Sequence, residues 1–337
     1  MDYRELKLIA STSPHIRSKN SARTLMVDVI IALLPALAFS VYNFGWRALS
    51  LTAVSMAGCV GFEALYRYLT GKHQTVGDLS AAVTGMLIAF VCPVTLPYWT
   101  ILIADAFAIV IAKQLFGGIG KNFVNPALVA RAFLFSWGGA MSNWVVPGSR
   151  LPVWGSTADA VTYATPMAFL HTNDLEGLKA IYTPTNMLLG QIGGSLGEVS
   201  ALLLIFGGLF LLLRRVIAWY IPVSYIGTVA LLTFLFPRGN DPLEWMIYNL
   251  LGGGLMLGAF FMATDFVTSP VTRRGQAIFG VGCGLITVFI RYFGAYSEGV
   301  CYSILVMNLC VWLIDKYVKP HHFGVPRAAR KKEAAAK

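Results

Sequence analysis

Apolar stretches recur ten times along this chain, at roughly 24–43, 47–66, 79–93, 97–113, 123–138, 199–213, 216–236, 245–263, 276–293 and 299–315. A bilayer core about 30 Å thick is crossed by about 20 apolar helical residues. Shorter stretches, here the third, fifth and sixth, suit broken or tilted helices. Only 12% of the residues are charged and 56% are hydrophobic. That balance excludes a disordered chain, a coiled coil and an ordinary soluble enzyme. It leaves an all-α polytopic membrane protein, embedded in lipid. The net charge of +10 therefore does not point to nucleic acid, because in a membrane protein the placement of the charges matters more than their sum.

The 26 Lys and Arg residues set the orientation. With the N-terminus in the cytoplasm, twenty fall on inside segments, five (Arg47, Arg150, Lys179, Arg238, Arg291) on outside segments, and Arg131 within a span. The bias predicts a multi-pass membrane protein with both termini cytoplasmic and an even number of spans. Five segments follow. Residues 1–23 form a cytoplasmic N-terminal stretch without a cleavable signal. Residues 24–138 form a five-helix membrane half, and 139–198 a long extracytoplasmic loop rich in Gly, Pro, Ser, Thr and Asn. Residues 199–315 form a second five-helix half, and 316–337 a basic cytoplasmic tail. Five is odd, so two related halves would be inverted repeats. A faint repeat agrees: Val94-Thr95-Leu96-Pro97 and Val267-Thr268-Ser269-Pro270 each follow the third apolar stretch of their half. Proline also simply ends helices.

Charges inside a bilayer are costly and are candidates for function. Asp28, Glu63, Asp105 and Arg131 lie within apolar stretches, and Asp265 lies at the end of one. Asp105, Arg131 and Glu63 are ion-path candidates, and Asp105 and Arg131 are placed to pair; a purely structural pair or a snorkelling group is the plainer reading. The five cysteines form no CxxC pair and have no histidine cluster beside them. No metal site is expected. Gly117-Gly118-Ile119-Gly120-Lys121-Asn122 lacks the spacing of a nucleotide-binding P-loop. It reads as a glycine turn opening a helix at Asn125-Pro126, whose N-terminus suits the polar edge of a cofactor or nothing at all.

The loop carries Asp159-Ala160-Val161-Thr162-Tyr163-Ala164-Thr165-Pro166. No Ser–His–Asp order accompanies it, and no residue is assigned a catalytic role. The segment resembles the covalent flavinylation pattern D-x-x-[ST]-x-A-T. Asp159, Thr162 and Ala164 match the motif and Thr165 matches the acceptor, although Tyr163 stands where glycine is common. Together with Ser13-Pro14-His15, the Gly120–Ala127 run and the Ala263–Pro270 run, it makes residues 11–320 resemble the RnfD family, the D subunits of the Rnf complex, an ion-translocating ferredoxin:NAD+ oxidoreductase. More distantly the chain is similar to the B subunit of the sodium-pumping NADH:quinone reductase. Its short N-terminal stretch and compact length favour the former.

The resemblance implies about ten transmembrane helices and FMN joined to Thr165 by a phosphoester, attached by a flavin transferase. It implies an electron-relay role in a translocase, with the flavin-bearing G subunit and the cytoplasmic C subunit of the Rnf complex among the partners. A second, non-covalent flavin, riboflavin or FMN, is expected near the cytoplasmic side, with Lys121, Asn122, Asn125, Asp265 and Thr268 as its candidate neighbours. Two readings without a flavin remain open: a secondary transporter or channel built of inverted repeats, and a membrane scaffold.

Overall fold

The computed structural model describes residues 21–137, 139, 141–154, 164–198, 200–239 and 241–319. Asp159, Thr162 and most of the two terminal segments lie outside the described residues. Among the described residues the architecture is all-helical, and each of the ten apolar stretches contains helix.

The first half holds α1 (Ala22–Phe44), α2 (Trp46–Leu69), α3 (Ser80–Phe90), α4 (Tyr98–Ala106, continued as a π-helix over Phe107–Gln114) and α5 (Pro126–Phe135). Three short helices occupy the loop: α6 (Pro166–His171), α7 (Leu175–Ile181) and α8 (Pro184–Leu189). The second half holds α9 (Ala201–Leu213), α10 (Tyr220–Leu235), α11 (Pro242–Leu251), α12 (Leu255–Leu257, continued as a π-helix over Gly258–Met262), α13 (Arg273–Phe293) and α14 (Val300–Tyr317).

Local sequence explains the starts. Ser21 and Thr24 cap α1 reciprocally (Thr24 N–H to Ser21 Oγ, 3.3 Å; Ser21 N–H to Thr24 Oγ1, 2.8 Å), a capping box that satisfies two otherwise orphaned amides. Asn125-Pro126, Thr165-Pro166, Thr183-Pro184 and Asp241-Pro242 each place a polar N-cap before a proline at the first helical position, where the missing N–H costs nothing.

Four helices (α1, α2, α13 and α14) are long and apolar enough to cross a membrane, or five spans if α11 and α12 count as one bent pair. The chain is a multi-pass membrane protein. One expectation changes in detail. The stretch at 245–263 is not one straight helix: α11 and α12 meet at 62°. The break follows from Gly253 (φ +66°) and Gly254 (φ +64°), left-handed conformations that other residues rarely adopt. In keeping with the short third and fifth stretches, α3 has 11 residues and α5 has 10, so each reaches only about 16 Å, roughly half of a bilayer core.

The two third-position helices share an entry geometry. Leu79 (φ +63°) precedes α3, and Gly254 precedes α12. Each is followed by its V-T-x-P turn, at 94–97 and 267–270. A buried arginine satisfies loose carbonyls beside each. Arg47 on α2 donates to Val94 (2.9 Å), Leu96 (3.3 Å) and Pro152 (3.2 Å). Arg291 on α13 donates to Asn249 (2.5 Å) and Gly252 (3.1 Å) at the α11–α12 break. By sequence position both are outside loop charges; in the fold they are buried clamps, 2% and 3% exposed. A guanidinium can serve several carbonyls at once because it carries five fixed donors.

Candidate functional site

Thr165 follows directly on the part of the loop outside the described residues and Ala164, and it caps α6. Its backbone is extended and its side chain makes no capping hydrogen bond. The sequence places this hydroxyl in an exposed loop. In the fold the residue is only 6% exposed, because the loop packs down on the bundle. Leu178 on α7 is buried. The Tyr182 hydroxyl donates to the Ala164 carbonyl (2.8 Å), and the Tyr248 hydroxyl of α11 donates to the Tyr182 carbonyl (3.1 Å). His171 Nε2 lies 3.0 Å from the Gly294 carbonyl, and Lys179 pairs with Glu244.

Thr165 lines a cavity of about 250 Å³ with Phe135, Met141, Ser142, Trp144, Tyr296, Ser297 and Glu298. Phe135, Tyr296 and Tyr302 form an aromatic cluster on one side, with ring centroids 5.2 to 6.1 Å apart. Glu298 is not a free carboxylate. Arg131, 3% exposed on α5, pairs through Nη2 with Glu298 and through Nη1 with Glu198 Oε1 (3.0 Å). Its guanidinium also lies 5.5 Å from the Phe135 ring centre. The expected Asp105–Arg131 pair does not form. Arg131 faces two carboxylates in the segments just before α9 and α14, whereas Asp105 faces α2. Helical spacing fixes which face a residue occupies but not its partner across the bundle.

A second cavity, also about 250 Å³, lies among α1, α3, the start of α5 and the end of α12. Asn122, Asn125 and Asp265 line it, as do Lys113, Ser80 and Thr84. Its apolar walls include Met26, Leu87, Phe260 and Phe261. Of the five sequence candidates, three meet here. Thr268 stands behind them, donating to Asp265 Oδ2 (3.1 Å), and Lys121 is exposed and does not line the cavity. Asn125 caps α5 by accepting from the Ala127 N–H (3.0 Å) and donates to the Met262 carbonyl (3.2 Å). With its amide oriented to satisfy both neighbours, Asn308 on α14 donates to the Thr268 carbonyl (3.0 Å) and accepts from the Asn125 N–H (3.1 Å).

Sequence reasoning misses Lys113, which reads there only as a topology charge at a helix end. It is 3% exposed and donates to Glu63 Oε2 (2.8 Å) and Ser80 Oγ (2.7 Å). Thr75 donates to Glu63 Oε1 (2.7 Å), and Arg67 Nε lies 3.6 Å from the same oxygen. Gly118, at φ +89°, lets the chain pass close to the Arg67 guanidinium. Asp28 is the remaining intramembrane acid of the sequence reading; it pairs with Arg214 at the end of α9 (3.2 Å). Among the described residues no cluster of three or more His, Cys, Asp or Glu side chains could hold a metal ion.

Both cavities suit a planar ring with a polar edge: one offers aromatic faces beside a threonine hydroxyl, the other apolar walls ending in amides and a lysine. Known proteins match this chain along nearly its whole length. It is similar to the D subunit of the Na(+)-translocating ferredoxin:NAD(+) oxidoreductase complex of Acetobacterium woodii, 46% identical over 336 residues that cover 98% of this chain and 99% of the relative. It is similar to the D subunit of the proton-translocating ferredoxin:NAD(+) oxidoreductase complex of Clostridium ljungdahlii, 42% identical over 94% of this chain and 96% of the relative. It is also similar to the D subunit of the ion-translocating oxidoreductase complex of Halorhodospira halophila, 38% identical over 93% and 95%. Residues 9–324 match the NQR2, RnfD, RnfE family, and the chain belongs to that family.

Proposed function

We propose that this chain is the D-type membrane subunit of an ion-translocating ferredoxin:NAD+ oxidoreductase complex of the Rnf kind, and that it carries FMN in phosphoester linkage at Thr165. The observation that carries the covalent site is the position of Thr165, a hydroxyl uncommitted to capping on the wall of an aromatic-lined cavity. A bound flavin supplies one- and two-electron exchange. The chain's own residues supply the setting. Trp144, Phe135 and Tyr296 offer faces for a ring, the folded loop limits water, and Arg131 keeps Glu298 from standing as a bare charge beside the site. A covalent tether also keeps the local concentration of the group high.

The second cavity is the proposed place of the non-covalent flavin, riboflavin or FMN. Asn122 and Asn125 would hold its polar edge, and Lys113 and Asp265 would set the charge around it. The two halves are proposed as inverted repeats of five membrane segments each, ten in all, in the cytoplasmic membrane. The termini would face the cytoplasm and the loop the opposite side. Partners on this reading are the flavin-bearing G subunit, the cytoplasmic C subunit and the flavin transferase. The D-type relatives are named for sodium in one case and for protons in another, and this reading leaves the ion to the complex.

The test is flavin fluorescence of the denatured protein after gel electrophoresis, for wild type and Thr165→Ala, each co-expressed with a flavin transferase. A fluorescent wild-type band and a dark variant are expected. A dark wild-type band, with the transferase shown active on another substrate, would overturn the covalent site and favour a flavin-free transporter or scaffold.

A further inference from the structure

Asp105 sits at 0% exposure on α4, with no cationic partner among the described residues. Its Oδ1 lies 2.7 Å from Ser55 Oγ and 3.4 Å from Cys59 Sγ. Its Oδ2 has no hydrogen-bond partner among them. Ser55 Oγ also lies 2.8 Å from the carbonyl of Gly85 on α3. That hydroxyl has one hydrogen, yet it stands at hydrogen-bond distance from two oxygens. A backbone carbonyl only accepts, and so does an ionised carboxylate. Both contacts are satisfied together if Asp105 carries a proton on Oδ1 and donates to Ser55, while Ser55 donates to Gly85.

We propose that Asp105 is a proton-binding site inside the membrane half, held as a neutral acid in the chain Asp105 Oδ1–H to Ser55 Oγ–H to Gly85 C=O. Energetics favour the same state. An ionised carboxylate here would be buried without a counter-charge, which is far costlier than a neutral acid. The occupant is a proton rather than a metal cation. A Cβ on Gly58 would meet Asp105 Oδ2 at 2.9 Å and the Leu102 side chain at 2.8 Å, so the bare oxygen is walled in. One of the close donors is a thiol, a poor ligand for a hard cation.

The titratable groups that bear on Asp105 are Cys59 on α2 and Cys92 just after α3; Glu63 on α2 and Lys113 on the π-helix bear in turn on Cys59. Arg131 on α5 is committed to Glu198 and Glu298. Ser55, Cys59, Glu63 and Arg67 are spaced by four and all buried on one face of α2, which is the polar route to Asp105. Loss of the proton breaks the Oδ1–H bond, leaves its electron pair on the carboxylate, and passes the proton along that face to water at its solvent end. The Ser55 hydrogen then turns to the carboxylate, and the Gly85 carbonyl loses its side-chain partner. The helices are close there: a Cβ on Gly85 would lie 2.6 Å from the Ser55 carbonyl. Proton occupancy is thereby felt by α3, whose Ser80, Val83, Thr84 and Leu87 line the cavity beside Lys113. The π-helix beginning at Phe107, a type of distortion frequent at functional sites, gives α4 a place to adjust.

The test is infrared spectroscopy of the purified complex at neutral pH. Expected is a protonated-carboxyl C=O band that disappears in Asp105→Asn and shifts in Ser55→Ala. The amide introduced by Asp105→Asn can donate to Ser55 as the acid does, so that variant is expected to fold and assemble. An acid region unchanged by Asp105→Asn would overturn the proposal, as would a wild-type band abolished by added sodium, which would mark a cation site. The coupling half rests on the proposed function. In vesicles containing the complex, Asp105→Asn is expected to lower ions moved per electron at least tenfold while ferredoxin-dependent NAD+ reduction continues. An absent acid band with normal flavin content refutes the proton site alone. A present acid band with unchanged ion movement refutes the coupling alone.

Discussion

The two membrane halves place polar groups at comparable helix contacts and make opposite choices. Between α2, α3 and α4 the first half buries Glu63, Lys113 and Asp105 together with Ser55, Cys59 and Ser80. Between α10, α13 and α14 the second half buries three hydroxyls. Tyr225 lies 2.7 Å from Thr287 and 2.9 Å from Ser303, and Thr287 donates to Ser303 (2.8 Å). The hydroxyl cluster is neutral and self-satisfied, so it fixes packing. The charged cluster instead rests on the Glu63–Lys113 ion pair, so its stability depends on both partners being present. That lysine–carboxylate pair lies in the half whose α3 lines the second cavity.

Breaking the charged cluster should give the largest effect. Lys113→Met leaves Glu63 without its principal cation and should destabilise the protein by about 3–5 kcal/mol. The double variant Lys113→Met/Glu63→Gln should recover part of that loss in reversible unfolding in mixed micelles. Full additivity would show that the two side chains do not act as a pair. Next is Arg291→Leu, which strips donors from the carbonyls of Asn249 and Gly252. At about 1–3 kcal/mol per orphaned group, a loss of about 3 kcal/mol is expected by the same assay, with faster proteolysis at the α11–α12 break. Tyr225→Phe removes one hydroxyl from the neutral cluster and should cost about 0.6 kcal/mol, the average for hydrogen bonds inside a membrane protein. A loss as large as that of Lys113→Met would erase the contrast between the halves.

The smallest effect is expected at the loop. Hydrogen bonding to Glu244 raises the Lys179 ammonium above its ordinary value. A raised cationic pKa contributes at pH below the ordinary lysine value and is lost as pH rises through the raised one. Around neutral pH the contribution is therefore constant. Exposed pairs are weak, so Lys179→Ala should leave the unfolding midpoint unchanged within error.

Much of the fold is legible in the sequence because burial in lipid demands apolar helices. Every apolar stretch contains a helix, and the long ones end within a few residues of the hydropathy limits. The α11–α12 break is written in Gly252-Gly253-Gly254, a signal drowned by the hydropathy around it. The π-helices have no such sign. At the site, the Asn122–Asn125 and Asp265 segments are readable as motifs, and the structure brings them to one cavity. Lys113 and Glu298 are not, since each sits where a helix end or loop would ordinarily face water. Arg47 and Arg291 mislead for the same reason: position along the chain says nothing of the carbonyls that a broken helix leaves open.

The seam between the halves carries one more consequence. On α9, a Cβ at Gly207 would come within 2.5 Å of the Ala32 carbonyl of α1. Alternating access by rocking one half against the other would have to open this close backbone contact and fill it with lipid or water. The tight fit makes that motion expensive. Any ion gating within such a body would then fall to small movements of broken helices and rotatable hydroxyls, inside a frame that stays still.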